Sequence, residues 1–102
     1  MKGPEDPDGL RARWRDLVGT RLPKAARSRP DWPVSLDHCF ARILLDNACG
    51  RPWREVVPAP AWRGASPALL RDACRLGEAV LDAEADLSAL NRRSLALRGK
   101  LR

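Results

Sequence analysis

The stretch SLDHCFARILLDNACG, residues 35–50, decides how the rest of the chain is read. Ser35 is a good N-cap, and Gly50 suits the left-handed turn that ends a helix. Between them Leu36, Cys39, Phe40, Ile43 and Asn47 share one broad helical face, which Leu44 and Ala48 widen. The spacing predicts a central, largely buried helix. Asp37, His38 and Cys39 stand side by side and carry the groups of a nucleophilic active site. Successive helical side chains, however, point about 100° apart, so these three cannot hydrogen-bond to one another as a triad. Cys39 therefore reads as core, and Asp37, in the first turn, as a partner of the helix dipole. No catalytic residue is assigned. His38, Arg42 and Asp46 form an i, i+4, i+8 stripe in which Arg42 and Asp46 have ion-pair spacing. That stripe is either a solvated or structural face or a candidate polar site.

Working outward, the periodicity stays helical. Asp8 can cap a helix with Leu10, Trp14, Leu17 and Val18 on one face, and with Arg11 and Arg15 together on another. Gly19 ends that helix, or Pro23 starts a further turn through PKAAR. SRPDWP, residues 28–33, is a break, because a residue before proline avoids the helical region. The Pro-rich RPWREVVPAPAWRGASP, residues 51–67, has room for one helical turn around Trp53 to Val57. Ser66 followed by Pro67 starts a helix whose apolar face holds Leu69, Leu70, Ala73, Leu76, Gly77, Val80 and Leu81. Asp86 caps a last helix with Leu87, Leu90, Leu97 and Leu101 on one stripe. The expected architecture is all-α: a compact bundle of four main helices plus one or two short helical turns. Residues 1–7 are expected to form a flexible tail and residues 8–102 a single helical domain.

The block from Trp32–Pro33 through DHCFARILLDNACGRPW, then LGEAVL and LNRRSLALRGK, resembles a family of short bacterial and fungal proteins. Its members share WPV-x-x-DHCF-x-RI-x-LD and are often labelled GNAT-type acetyltransferases. That label implies a mixed α/β fold and a pyrophosphate loop of the form R/Q-x-x-G-x-G/A. Neither is legible in this chain, and the resemblance assigns no functional residue.

Composition narrows the function classes. The single histidine and three cysteines, Cys39, Cys49 and Cys74, have no metal-ligand spacing, and the odd cysteine count without CxxC fits a reducing, cytoplasmic setting. No metal or cofactor is expected. MKGPEDPDG, residues 1–9, lacks the apolar core of a signal peptide, and no apolar run matches a membrane span. The formal net charge is +6, and only Lys2, Lys24 and Lys100 among the 19 basic residues are lysines. Basic residues outnumber acidic ones eight to four in residues 1–30 and eight to five in residues 63–102, against three to four between.

Basic ends rich in arginine suit contact with phosphate. The first expectation is therefore a small protein binding nucleic acid, DNA before RNA, through its backbone. Arg11, Arg15, Arg92, Arg93, Arg98, Lys100 and Arg102 would carry those contacts. No tight helix–turn–helix supports base reading, because the short turn DAEAD carries three acids. The alternative is a protein-interaction or regulatory module, with a homodimer as one form of it, using the Trp- and Arg-rich segment from Arg51 to Arg63. A third reading is an enzyme with His38 as acid or base.

Overall fold

The computed structural model describes residues 6–100. Residues 1–5 of the expected tail, and Leu101 and Arg102 at the other end, lie outside the described residues. Of the remaining two tail residues, Asp6, not Asp8, is the N-cap, its Oδ1 accepting from the Gly9 N–H at 2.6 Å, and Pro7 opens the helix. Proline suits that first position because its missing N–H would have no intrahelical acceptor.

Helix α1 (Pro7–Asp16) does not stop at Gly19. It widens into a π-helical turn, Leu17–Arg21, and continues as α2 (Leu22–Ala26). Both expected break points lie inside this continuous run. Pro23 can donate no hydrogen bond and its ring crowds the carbonyl four residues back. The widened turn, in which the Leu22 N–H reaches Leu17 O, accommodates it without ending the helix. Leu10, Trp14, Leu17 and Val18 are all buried, as the spacing predicts, and Leu22, beyond the expected end of the helix, is buried with them.

Helix α3 (Asp37–Cys49) is the central element and ends in left-handed Gly50 at φ 74°. Its N-cap is Leu36 rather than Ser35, and no side chain caps it. Leu36 is 56% exposed, so the inward face begins at Phe40 and runs through Ile43, Leu44 and Leu45. Cys39 is half-buried rather than core, whereas Cys74 is sealed. A 3₁₀ turn follows at Trp53–Glu55, where one turn is expected, and then the short α4 (Ala61–Gly64). Helix α5 (Pro67–Leu81) starts on Ser66, whose Oγ accepts from the Leu69 N–H, and α6 (Leu87–Leu97) starts on Asp86. No strand occurs among the described residues, so the α/β fold implied by the acetyltransferase label is not the fold of this chain.

Helix α3 packs on both α5 and α6, while α1 packs on α5 and α4. The close approach at the centre depends on Gly77: a Cβ there would lie 2.5 Å from Leu17 Cδ2 and 3.1 Å from Leu44 Cδ1. Both leucines are fully buried and have no free volume to retreat into. Glycine-to-alanine in a helix ordinarily stabilises it. Here Gly77→Ala is expected to destabilise by about 1–3 kcal/mol through overpacking, read as a lower urea midpoint. An unchanged or higher midpoint would mean that the three elements slide apart freely.

A second tie joins the N-terminal helical run to α5. Arg21 grips Glu78 through both guanidinium nitrogens, at 2.7 and 2.9 Å, and Arg13 Nε lies 3.8 Å away. The Arg21 hydrogen bond holds the Glu78 carboxyl below its ordinary range, against a smaller opposing effect of burial. A carboxyl held low in the folded state stabilises it above the unfolded pKa and ceases to do so as pH falls through the folded value. Wild type should therefore lose its stability advantage over Glu78→Gln as pH falls through and below the ordinary glutamate range near about 4.3. Denaturation midpoints across that window check it, and parallel pH profiles would count against the tie.

Candidate functional site

Two places gather the polar residues, and they differ in kind. The first is the seam between α3 and α6. Asp46 is completely buried and its carboxylate accepts from the Trp53 N–H at 2.9 Å and from the Ser94 hydroxyl at 2.6 Å. It also accepts from Arg98 Nε at 2.6 Å and Arg98 Nη2 at 3.0 Å. The hydrogen bond to Asp46 pushes the Arg98 guanidinium above its ordinary value, with burial acting the other way. Arg42 therefore does not take the expected i+4 pairing with Asp46. It donates to Ser94 Oγ at 2.9 Å and Asn91 Oδ1 at 2.8 Å, so Ser94 bridges the two. Asn47 extends the seam by donating to the Ile43 and Leu90 carbonyls, and Arg93 Nη1 reaches Asn47 Oδ1 at 3.4 Å.

The His38–Arg42–Asp46 stripe is thus divided. Asp46 and Arg42 belong to an internal network that locks α6 onto α3. His38 lies at the exposed start of α3, its Nδ1 3.5 Å from Asp37 Oδ1. Asn91, Ser94 and Arg98 are the partners that sequence reading missed. Their own i, i+3, i+7 spacing was the available signal, a polar stripe facing the polar stripe of α3.

The residues expected to contact phosphate are held in different ways. Arg98 is fixed on Asp46, and Arg11 lies 3.5 Å from Asp8. Arg15 stacks over the Trp62 ring at 4.9 Å. Arg92, Arg93 and Lys100 are exposed, and Arg102 lies outside the described residues.

The second place is a groove of about 600 Å³ between the N-terminal helical run, the start of α3 and the Pro-rich connection. Trp14 and Val18 come from the first, Asp37, His38 and Ala41 from α3, and Trp53, Pro60 and Trp62 from the connection. The local reasons are legible. Trp14 lies on the inward face of α1, and the Trp53 backbone N–H is tied to buried Asp46, which fixes the 3₁₀ turn against α3. Trp62 rides on α4, which packs on α1. Gly19 opens one wall, since a Cβ built there meets nothing within 4 Å. Arginines cover the indoles: besides Arg15 over Trp62, Arg63 lies 5.4 Å from the same ring and Arg54 lies 5.3 Å from Trp53. Trp32 stands apart, edge-on to Phe40 with ring centroids 5.8 Å apart. All three of these tryptophans, Trp32, Trp53 and Trp62, are partly buried against the core, as their Pro-rich surroundings predict.

Burial, reinforced by Asp46, holds the Cys49 thiol above its ordinary pKa, with Arg51 a weaker opposing influence, so Cys49 is a poor nucleophile at neutral pH. Comparison with family models, with curated proteins and with solved structures gives no match. No helix among the described residues is long and apolar enough to cross a membrane.

Proposed function

We propose that the protein is a binding module with a regulatory role, and that the tryptophan groove is its working surface. One observation carries this reading. Three tryptophans from separate parts of the chain converge on a single groove, and two of them are only half-buried. Pockets of roughly 300–1,000 Å³ with apolar and aromatic walls and a few placed polar groups are the usual form of ligand sites. The segment from Arg51 to Arg63, expected to serve interaction, supplies one wall. Three cysteines outside any disulfide fit a cytoplasmic location.

The test uses Nile red, a neutral dye that brightens in apolar grooves. Wild type is expected to bind it saturably at one site. Gly19→Leu should fill the groove and weaken that binding at least about tenfold, a loss of about 1.4 kcal/mol. Its thermal midpoint should not fall, because the added side chain enters open space. Dye binding that ignores Gly19→Leu would place the apolar surface elsewhere and defeat the reading.

Backbone-led DNA binding is the second reading, favoured by the exposure of Arg92, Arg93 and Lys100 on and after α6. It requires affinity that falls steeply with salt and a smaller salt slope in Arg92→Ala/Arg93→Ala. Fluorescence anisotropy on two unrelated duplexes decides it, and no binding at low salt rejects it.

A further inference from the structure

We infer that the groove takes a small amphiphilic anion, a carboxylate carried on an aromatic or aliphatic body. The inference rests on the groove being the binding surface and names the chemistry of its occupant.

The walls specify the body of the ligand. Trp14, Val18, Trp53, Pro60 and Trp62 are apolar, and the volume of about 600 Å³ accommodates one small molecule.

The polar groups specify the charge. Arg15 and Arg54 line the groove, and neither has an ion-pair partner among the described residues. Each guanidinium is instead stacked on an indole, Arg15 on Trp62 at 4.9 Å and Arg54 on Trp53 at 5.3 Å. Stacking uses the face of the guanidinium and leaves its in-plane N–H donors available for a carboxylate fork.

The lining has one carboxylate, Asp37, and it is already engaged: its Oδ1 accepts from the His38 backbone N–H at 2.7 Å. The three indole N–H groups add donors. None makes a hydrogen bond among the described residues, and none is sealed from solvent, although Trp14 is only 2% exposed. A donor open to solvent can be met by water or by an acceptor on a ligand that enters the groove. Donors thus outnumber acceptors, and two guanidiniums against one carboxylate leave the groove with a net positive charge beside its apolar floor. A neutral apolar ligand would leave both unanswered, and a cation would be repelled.

The experiment is a tryptophan-fluorescence titration of the full chain at low salt with three ligands of one shape: 4-phenylbutyrate, 4-phenylbutan-1-ol and 4-phenylbutylamine. The carboxylate is expected to bind about tenfold more tightly than the alcohol, the worth of one charge-assisted contact, and the amine most weakly. The double variant Arg15→Gln/Arg54→Gln should bring the carboxylate-to-alcohol ratio to about one, with folding checked by circular dichroism. Equal affinity for the three ligands in wild type, or preference for the amine, overturns the inference whatever the variants do. It leaves the groove reading intact as long as Nile red still responds to Gly19→Leu. If none of the three binds, the anion inference falls, and the dye measurement alone decides whether the groove is a site at all.

Discussion

Asp46→Ala is expected to lower the unfolding free energy by about 3–5 kcal/mol, the usual loss when one partner of a buried ion pair is removed. Small domains have only about 5–15 kcal/mol in total, so the variant should be marginal at room temperature. The reason lies in what the carboxylate leaves behind. The Ser94 hydroxyl, the Trp53 N–H and the Arg98 guanidinium all donate to it, and Ser94 is itself fully buried. Each would lose its acceptor at the seam between α3 and α6, and the Ser94 hydroxyl would lose it out of reach of solvent. Arg98→Met should also be costly, because it leaves Asp46 charged at zero exposure with only neutral donors. The double variant Asp46→Ala/Arg98→Met should lose clearly less than the sum of Asp46→Ala and Arg98→Met, since no unpaired charge remains. Urea denaturation of all three proteins measures this. Strictly additive losses would show that the pair is not coupled. Because Asp46 also holds the Trp53 backbone, its removal should loosen one wall of the groove, a link from core electrostatics to binding.

How far the sequence could anticipate this depends on the range of the interaction. Helices α5 and α6 were legible because their signals are local: Ser66–Pro67 and Asp86 are caps that act within three residues. Gly50 was legible for the same reason. Ser35 misled by one residue: Leu36 takes the cap position and the helix opens on Asp37, whose carboxylate suits the first turn. Gly19 and Pro23 misled more deeply. Both are local helix breakers, but five buried apolar residues from Leu10 to Leu22 hold the run together, and a π turn absorbs the proline. Tertiary burial outweighed local propensity there.

The polar residues show the same division. Arg42 and Asp46 have ion-pair spacing, yet the strong partner of Asp46 is Arg98, 52 residues away. Helical periodicity gives the face of a residue and is silent on which helix meets that face. By sequence, Arg15, Arg92, Arg93 and Arg98 fall together as phosphate contacts, and Arg54 and Arg63 fall in the interaction segment. The structure sorts them into an internal clamp (Arg98), indole-stacked residues (Arg15, Arg54, Arg63) and exposed ones (Arg92, Arg93). Only Trp53 and Trp62, through their place in the Pro- and Arg-rich connection, signalled the groove in advance. Trp14 could not have, because one face of α1 serves both the core and the groove floor.

That double role makes Trp14→Ala the other large effect. Trp14 is 2% exposed and sits among Leu10, Leu17 and Val18, so truncating it removes a large apolar side chain from a packed interior. The expected loss is about 3–5 kcal/mol. Trp62→Ala should lose distinctly less, because the ring is half-buried and the chain around it already meets solvent. Trp14→Phe separates the two jobs of the residue. It keeps an aromatic ring in the core while deleting the indole N–H that faces no protein acceptor, so its stability loss should be well under that of alanine. If the N–H contributes to ligand binding, Trp14→Phe should weaken 4-phenylbutyrate several-fold at nearly constant stability, within the reach of one hydrogen bond to a charged acceptor. Thermal denaturation orders the three variants, and the titration separates packing from recognition. Equal losses for Trp14→Ala and Trp62→Ala would mean that the groove floor is no more part of the core than its rim.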